Sequence, residues 1–244
     1  MRLSYRLLFI ALCFPLFVQA QIGEHRNTLS IGGNAGYNLT SVRFTPKVVQ
    51  NMKGGMNFGF TVRYTVERYF STIASVQAEV NFSQMGWREN ILDTSDQPVT
   101  NSVSGQPEKY ERTVNYIQVP FLAHLAWGRE NKGVNFFVNA GPQFGVYINE
   151  STKSNFDWDK RNMTDRANTI VAQDTMKVEN KFDYGIAAGI GMELATRNLG
   201  RFTLEARYYY GLGNIFGDSK RDYFGSSNYG TIMIKLGWLM DIMK

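Results

Sequence analysis

The stretch FDYGIAAGIGMELATRNLGRFTLEARYYYGL, residues 182–212, contains two runs of alternating hydrophobicity joined by a short turn. In each run large apolar side chains occupy every second position, and glycine, alanine or charged residues fill most positions between them. A period of two predicts β-strands with the large apolar side chains on one face of a hairpin. The other face combines glycine with Glu and Arg. Apolar side chains outside and polar ones inside are typical of a β-barrel in a lipid bilayer.

The same period predicts eight strands, each long enough to cross a bilayer at the tilt of barrel strands. They span residues 28–39, 56–66, 72–85, 113–127, 134–148, 182–195, 202–212 and 229–240. Three links are short, at 67–71, 128–133 and 196–200, and four are long, at 40–55, 86–112, 149–181 and 213–228. This sorting predicts an all-β fold, an eight-stranded antiparallel up-and-down transmembrane β-barrel with short periplasmic turns and long extracellular loops.

The N-terminus predicts where the barrel is delivered. Arg2 and Arg6 precede an apolar run over 7–18, and Val18-Gln19-Ala20 forms a small-residue cleavage site. We therefore expect a signal peptide over 1–20, cleaved near Ala20, and an outer membrane β-barrel domain over 21–244. The expected location is the cell outer membrane, as a multi-pass barrel in contact with outer membrane lipid and lipopolysaccharide. The net charge of +5 is small and dispersed, which argues against nucleic acid as a partner.

An eight-stranded barrel has a bore that side chains fill, and strand parity places seven charged residues in it. These residues are Arg63, Glu79, Asp183, Glu193, Glu205, Arg207 and Lys235. They could form a selectivity or proton path, or a plug of mutually paired charges, and the narrow bore favours the plug. Pairing the last hairpin about its turn makes room for the bulky side chains, although a slip of two residues stays open. The expected cross-strand pairs are Glu205 with Gly191, Arg207 with Gly189, and Tyr209 with Ala187.

Four segments carry a family resemblance: YIQVPFLAHL (116–125), FFVNAGPQFGV (136–146), FDYGIAAGIGMEL (182–194) and LEARYYYGLGNI (204–215). The chain resembles the PorT-like outer membrane β-barrel proteins of Bacteroidota over its whole mature length, most sharply between 116 and 215. The resemblance implies an eight-stranded barrel in the cell envelope. The founding member of that family belongs to the type IX secretion pathway, so the resemblance also implies a link to secretion as one option.

Catalytic, cofactor and metal sites find little support in the sequence. The chain has two histidines, His25 and His124, and strand four places His124 near the periplasmic end, away from the outer rim where barrel hydrolases act. We expect a neighbouring side chain to hydrogen-bond it. The loop after strand five contains several acids without the spacing of a calcium loop. We predict no catalytic residue, no cofactor and no metal site. The loop acids are Asp157, Asp159, Asp165 and Asp174.

Two non-enzymatic functions follow as alternatives. The first is a non-catalytic scaffold or interaction protein of the cell envelope, with other envelope or secretion proteins as partners. The second is a barrel that supports envelope integrity or surface attachment, and a lipid A or peptide hydrolase is the least favoured class. Asp174-Thr175-Met176 matches a short O-glycosylation signal of Bacteroidota, which makes Thr175 a candidate modification site.

Overall fold

A computed structural model describes residues 23–130, 132–217 and 222–243, so the expected signal peptide lies outside the described residues. The strands are β1 Glu24–Thr45, β2 Gln50–Asn51, β3 Lys53–Tyr69, β4 Thr72–Glu89, β5 Tyr110–Trp127, β6 Gly133–Ser154, β7 Phe182–Thr196, β8 Gly200–Gly211 and β9 Ser226–Met243. One loop holds a 3-10 turn, Trp158–Lys160, and a four-residue α-helix, Ala172–Thr175, called here the loop helix. None of the helices in the described residues is long and apolar enough to cross a membrane.

The eight long strands form one closed antiparallel ring. Each pairs with the next long strand along the chain, and β1 pairs with β9 from Leu29–Met243 to Thr45–Ser226, which closes the barrel. The two-residue β2 adds a short pairing to the outer end of β4. The predicted eight-stranded up-and-down barrel is confirmed, and closure leaves no long strand with an unpaired edge.

The predicted register of the β7–β8 hairpin is also confirmed, because Glu205 faces Gly191 and Arg207 faces Gly189. A Cβ atom at Gly189 would lie 2.6 Å from the Oε1 atom of Glu205. At Gly191 it would lie 2.4 Å from the ring of Phe137. These glycines therefore provide the space that the inward side chains occupy.

Six of the eight strand ends at the long-loop side extend three to six residues beyond the predicted positions. The loop expected at 86–112 starts and ends in strand, since β4 continues to Glu89 and β5 begins at Tyr110. The loop expected at 40–55 is likewise shortened by β1, which continues to Thr45, and by β3, which begins at Lys53. In these parts the outward side chains are mostly polar, and large apolar side chains such as Phe44, Trp87 and Tyr110 point inward. The sequence prediction required apolar residues at outward positions, so its strands end where the outward residues become polar.

The reversal divides the barrel into two levels. In the membrane segment the outward side chains are apolar and exposed; for instance, Phe60 exposes 74% of its surface. On the β4–β5–β6 side the last continuous apolar row is Phe82, Ile117 and Val146, which face one another across the strands. Above it Gln84 lies beside Asn115 in register, and outward positions stay mostly polar to the strand ends. We call the part above this row the outer extension.

Candidate functional site: the charged lumen and the outer loop dome

The middle of the lumen contains four charged side chains that pair with one another, called here the central cluster. The guanidinium of Arg207 donates to both carboxylate oxygens of Glu79, at 2.7 and 3.0 Å, and to both of Glu205, at 2.7 and 2.9 Å. The ammonium of Lys235 also donates to Glu79. All four residues are buried, and two cations balance two carboxylates. Buried charges need this pairing because an unpaired charge is costly to desolvate.

Closer to the periplasmic turns lies a second set of ion pairs, the lower cluster. Glu193 is paired with Arg63 and, at 3.1 Å, with Arg201, and Arg201 also contacts Asp241 at 3.3 Å. Sequence reasoning did not include Arg201 or Asp241. Arg201 lies an even number of positions from the inward Glu205 on β8, and Asp241 lies an even number from the inward Lys235 on β9. Because side chains alternate along a strand, extending the inward pattern to the strand ends would have found both residues.

The structure places Asp183 in the lumen but apart from these ion pairs, which corrects its inclusion in one charge network. Its carboxylate accepts a hydrogen bond from the Tyr209 hydroxyl at 2.7 Å. Within the described part of the chain no cation lies within ion-pair distance of Asp183. Tyr116 and Tyr229 pack nearby with ring centroids 5.7 Å apart, so this level of the lumen is aromatic rather than ionic.

His124 lies in the periplasmic half of the lumen, where it is buried. Its Nδ1 atom is 2.7 Å from the Oδ1 atom of Asn139, and its ring centroid is 4.9 Å from that of Phe137. The amide of Asn139 in turn donates to Glu205 at 3.0 Å. The histidine therefore forms the hydrogen bond expected of it and packs as part of the lumen filling.

The charged side chains fill the bore. The space left among Arg63, Glu79, Glu205, Lys235 and their neighbours measures about 10 Å³. A volume of that size accommodates one water molecule at most. The lumen thus has no room for a solute to pass, and its chemistry is that of a neutral plug of paired charges.

Above the lumen, the described residues of the long loops pack together with the outer strand ends around an apolar core. We call this part the dome; its core includes Phe44, Trp87, Tyr110, Phe216 and Phe224. Phe44 and Trp87, from β1 and β4, meet edge to face with ring centroids 5.3 Å apart. From the last loop, Phe216 stacks on Phe44 with ring centroids 6.1 Å apart, and Phe224 packs against Phe44 at a tilt, with centroids 5.0 Å apart. Aromatic pairs in this geometry add to the stability gained by burial. The inward apolar residues of the outer extension are the floor of this core.

Buried polar contacts join the loops to each other. Arg166, in the loop after β6, pairs at 2.7 Å with Glu108, in the loop after β4, and both side chains are at most 3% exposed. Arg112 pairs with Glu150 at 2.6 Å and donates to the backbone oxygen of Gln173 at 2.9 Å. Arg112 thereby attaches the loop helix to β5.

Under the loop helix two carboxyl groups lie side by side. The side chains of Glu89 and Asp174 are both buried, and the amide of Gln173 donates to Glu89 at 2.7 Å. Glu89 lies seven residues beyond Phe82, well above the membrane segment, and burial raises its pKa to about 9. Burial also raises the pKa of Asp174, whose closest cation, Arg161, is 3.5 Å away. Burial and the neighbouring like charge both disfavour the ionised form of Glu89, which raises its pKa.

The other loop residues singled out by the sequence lie apart from one another. Asp157 faces Lys160 at 3.5 Å, and Asp165 accepts from Asn162 at 2.7 Å. In the described ranges no group of three or more His, Cys, Asp or Glu side chains could hold a metal ion. Thr175 is exposed on the loop helix, although the acid before it is buried. Its glycosylation stays a prediction.

The sequence and the fold were compared with known proteins. The family model described as outer membrane protein beta-barrel domain matches residues 19–217. Among solved structures, Ail of Yersinia pestis is 15% identical, covering 88% of this chain and 100% of its own, with a TM-score of 0.35. OprG of Pseudomonas aeruginosa is 11% identical, with 89% and 98% covered and a TM-score of 0.43. Neisserial surface protein A is 9% identical, with 86% and 96% covered and a TM-score of 0.40. No curated protein sequence matches the chain.

Proposed function

Because the chain belongs to the family of outer membrane protein β-barrel domains, we propose that it is a non-catalytic scaffold whose loop dome binds another envelope protein. The observation that carries this proposal is the ordering of the dome by a shared apolar core and buried ion pairs. A surface that is ordered before binding loses less conformational entropy on association. The filled bore supports the proposal further, since it leaves the outer surface rather than the lumen as the place for function.

Site-specific photo-crosslinking in whole outer membranes tests the scaffold role. A photoreactive residue at Val103, 72% exposed in the loop after β4, or at Tyr223, 53% exposed in the last loop, samples the dome. The same residue at Phe60 samples the lipid face and is the matched control. We expect one protein to be captured reproducibly from the dome positions and not from Phe60. Capture at neither dome position would contradict the scaffold role.

The alternative is a barrel that supports envelope integrity or surface attachment. The closed bore and the continuous apolar band favour it, because such a barrel fills the membrane without creating a leak. Deletion of the protein would then raise the permeability of the outer membrane to large dyes, and the crosslinking experiment would capture no partner. Normal permeability together with a captured partner would exclude this alternative.

A role in type IX secretion is the more specific form of the scaffold proposal, and the sequence resemblance is its support. It requires that deletion of the protein reduces the amount of secreted cargo outside the cell. Retention of full secretion in the deletion strain would remove the secretion role and leave the scaffold role standing. Expression from a plasmid controls for effects on neighbouring genes.

A lipid A or peptide hydrolase receives no support from the geometry. His124 is buried in the periplasmic half of the lumen, and Glu89 and Asp174 are covered by the loop helix. General acid and base groups must reach the proton they transfer, and a substrate in the outer leaflet reaches none of these side chains. We expect His124→Ala to leave the mass spectrum of lipid A unchanged, and a lost modification would overturn this view.

Two processing steps complete the proposal. We expect removal of residues 1–20 during export, so that the mature chain begins at Gln21. We also expect a glycan on Thr175, whose exposure leaves its hydroxyl accessible to a transferase. Mass spectrometry of the purified protein reads both, from the N-terminal peptide and from the tryptic peptide 167–177. An unmodified 167–177 peptide would exclude the glycan.

A further inference from the structure

A groove with a volume of about 730 Å³ lies on the outside of the outer extension. It crosses the outward face of β4, β5 and β6 and is bordered by the loop after β4. Arg88, Lys109 and Lys153 are its basic side chains, and apolar surface comes from residues such as Leu92 and Pro107. The exposed Arg88, Lys109 and Lys153 line its outer side, and Ile91 and Tyr110 of the dome core line its inner side.

The height of the groove above the membrane can be read from the strand register. Phe82 pairs with Ile117, and Arg88 pairs with Glu111 six residues further along both strands. Six residues of a strand tilted by about 40° rise roughly 15 Å. The headgroup layer of a phospholipid leaflet is only about 5–8 Å thick. Phospholipid headgroups therefore end below the groove, whereas the saccharide of a glycolipid can extend up to it.

The charges in the groove leave two ammonium groups available for a ligand. Glu111, in the floor, is already paired with Arg88 at 2.7 Å and with Lys53 at 3.1 Å. The two lysines, Lys109 and Lys153, are exposed, and neither ammonium has a hydrogen bond or ion pair within the described residues. Glu89 and Glu108 are also lining residues, but their carboxylates are buried and bonded to Gln173 and Arg166, so a ligand in the groove does not reach them.

Two basic side chains at a similar level elsewhere on the barrel, Arg43 and Lys181, are bound by other groups of the protein. The guanidinium of Arg43 lies 3.7 Å from the ring centroid of Tyr210 and donates to the backbone oxygen of Gly211 at 2.8 Å. The ammonium of Lys181 lies 3.7 Å from the ring centroid of Tyr147 and donates to Val178 at 2.7 Å. These cations are held by the protein. Lys109 and Lys153 differ from these two cations, because their ammonium groups are exposed and have no such partner within the described residues.

We propose that this groove binds the anionic saccharide of an outer-leaflet glycolipid, with Lys109 and Lys153 contacting its phosphate or carboxylate groups. Charge complementarity selects an anion, and charge-assisted hydrogen bonds from two ammonium groups are the strong contacts. The height of the groove above the membrane segment favours contact with the saccharide of the glycolipid rather than with its lipid anchor. The proposal requires that the outer extension faces the outer leaflet, and it is independent of any protein partner of the dome.

Native mass spectrometry of the whole barrel in detergent provides the test. The probes are core-bearing rough lipopolysaccharide, lipid A without core sugars, and phosphatidylglycerol at equal concentrations. We expect the wild type to bind the core-bearing probe at least tenfold more tightly than the other two. The double variant Lys109→Gln/Lys153→Gln should weaken that binding about tenfold, since two charge-assisted hydrogen bonds are lost.

The matched control is Lys47→Gln/Lys177→Gln, which removes two exposed lysines from other outer loops. It should bind core-bearing lipopolysaccharide like the wild type, and both variants should show the heat-dependent gel shift of a folded barrel. Equal binding of lipid A and core-bearing lipopolysaccharide would overturn the proposal, as would equal loss in both double variants. Competition by millimolar inorganic phosphate would also overturn it, because the site would then recognise free phosphate and not the glycolipid.

Discussion

The same strands follow opposite polarity rules at two levels of this molecule. In the membrane segment of β4 the outward residue Phe82 is apolar, and the inward Glu79 carries a charge. In the outer extension of the same strand the outward residue Arg88 is charged, and the inward Trp87 is fully buried in the dome core. The backbone stays a continuous strand between them. The side of a strand that carries the apolar groups therefore depends on what surrounds the barrel at that height.

The two levels are also held together by different forces. In the membrane segment lipid covers the outside, and the inside is closed by ion pairs and hydrogen bonds that satisfy each other. In the outer extension water covers the outside, so burial of aromatic side chains drives the closure of the inside. A substitution in the membrane segment should therefore change the stability of the barrel, and a substitution in the outer extension should change the stability of the dome.

The largest effect is expected from Arg207→Met in the central cluster. The change leaves Glu79 and Glu205 buried together with Lys235 as their remaining cation. Removing one partner of a buried ion pair costs about 3–5 kcal/mol, because the other charge stays desolvated. Urea unfolding of the barrel in lipid vesicles measures the loss. Arg88→Met, in a pair whose arginine is 53% exposed, should cost less than about 1 kcal/mol.

Similar losses for Arg207→Met and Arg88→Met would contradict the distinction between a dry plug and a solvated outer face. So would a larger loss for Arg88→Met.

A somewhat smaller effect, confined to the dome, is expected from Trp87→Ala. Deleting this fully buried ring removes the partner of Phe44 and should destabilise the dome by about 3 kcal/mol. Trypsin then gains access to Arg166, which is buried in the intact dome. The rate of cleavage after Arg166 measures this opening, while the urea midpoint of the barrel should stay unchanged. Phe60→Ala, on the lipid face, should leave the cleavage rate as it is; a dome as resistant in Trp87→Ala as in the wild type would refute the apolar core.

The membrane segment was largely predictable from the sequence because its signal is local. Strand parity alone assigns Glu205 and Arg207 to the lumen, and the short turn at 196–200 sets their register against Gly191 and Gly189. Which carboxylate meets which cation was beyond this reasoning. Glu79 and Arg207 are 128 positions apart, and their contact depends on closure of the ring.

The dome was missed for a different reason. Its signal, the reversed alternation at Val42 and Phe44 and again at Tyr110, is visible in the sequence. It was interpreted as loop because outward apolar residues were required of every strand. A search for alternation of either sign would have extended the strands, but the docking of the loop helix rests on contacts with two strands that no local pattern encodes.

A third test places the same new charge at both levels. Ile190→Lys puts an ammonium on the lipid face, where Ile190 is 67% exposed, and should cost about 2–3 kcal/mol of stability in lipid vesicles. Thr113→Lys puts it on the outward face of β5 in the outer extension, where water solvates it, and should change stability by less than about 0.5 kcal/mol. Urea unfolding reports both. Equal costs at the two positions would mean that the membrane boundary does not lie near Ile117.

The smallest effect should come from Glu89→Gln, because it concerns only the contact between the loop helix and the outer extension. Burial raises the pKa of Glu89 to about 9 in the docked loop, from 4.5 when the carboxyl is solvated. Docking is therefore strongest below about pH 4.5 and weakens as the pH rises toward 9, because the carboxyl must ionise beside Asp174. Arg166, Arg161 and Arg112 limit this loss but do not remove it.

Hydrogen exchange of the peptide 167–177 as a function of pH, corrected for intrinsic rates, measures the docking. The wild type should open increasingly between pH 5 and 9, whereas Glu89→Gln should open less, since its amide does not ionise and only Asp174 remains to titrate. Glu111→Gln is the matched control, because arginine and lysine lower the pKa of Glu111 and leave it ionised throughout this range. A wild-type peptide whose protection is constant from pH 5 to 9 would show that the two carboxyl groups are neutralised by the arginines alone.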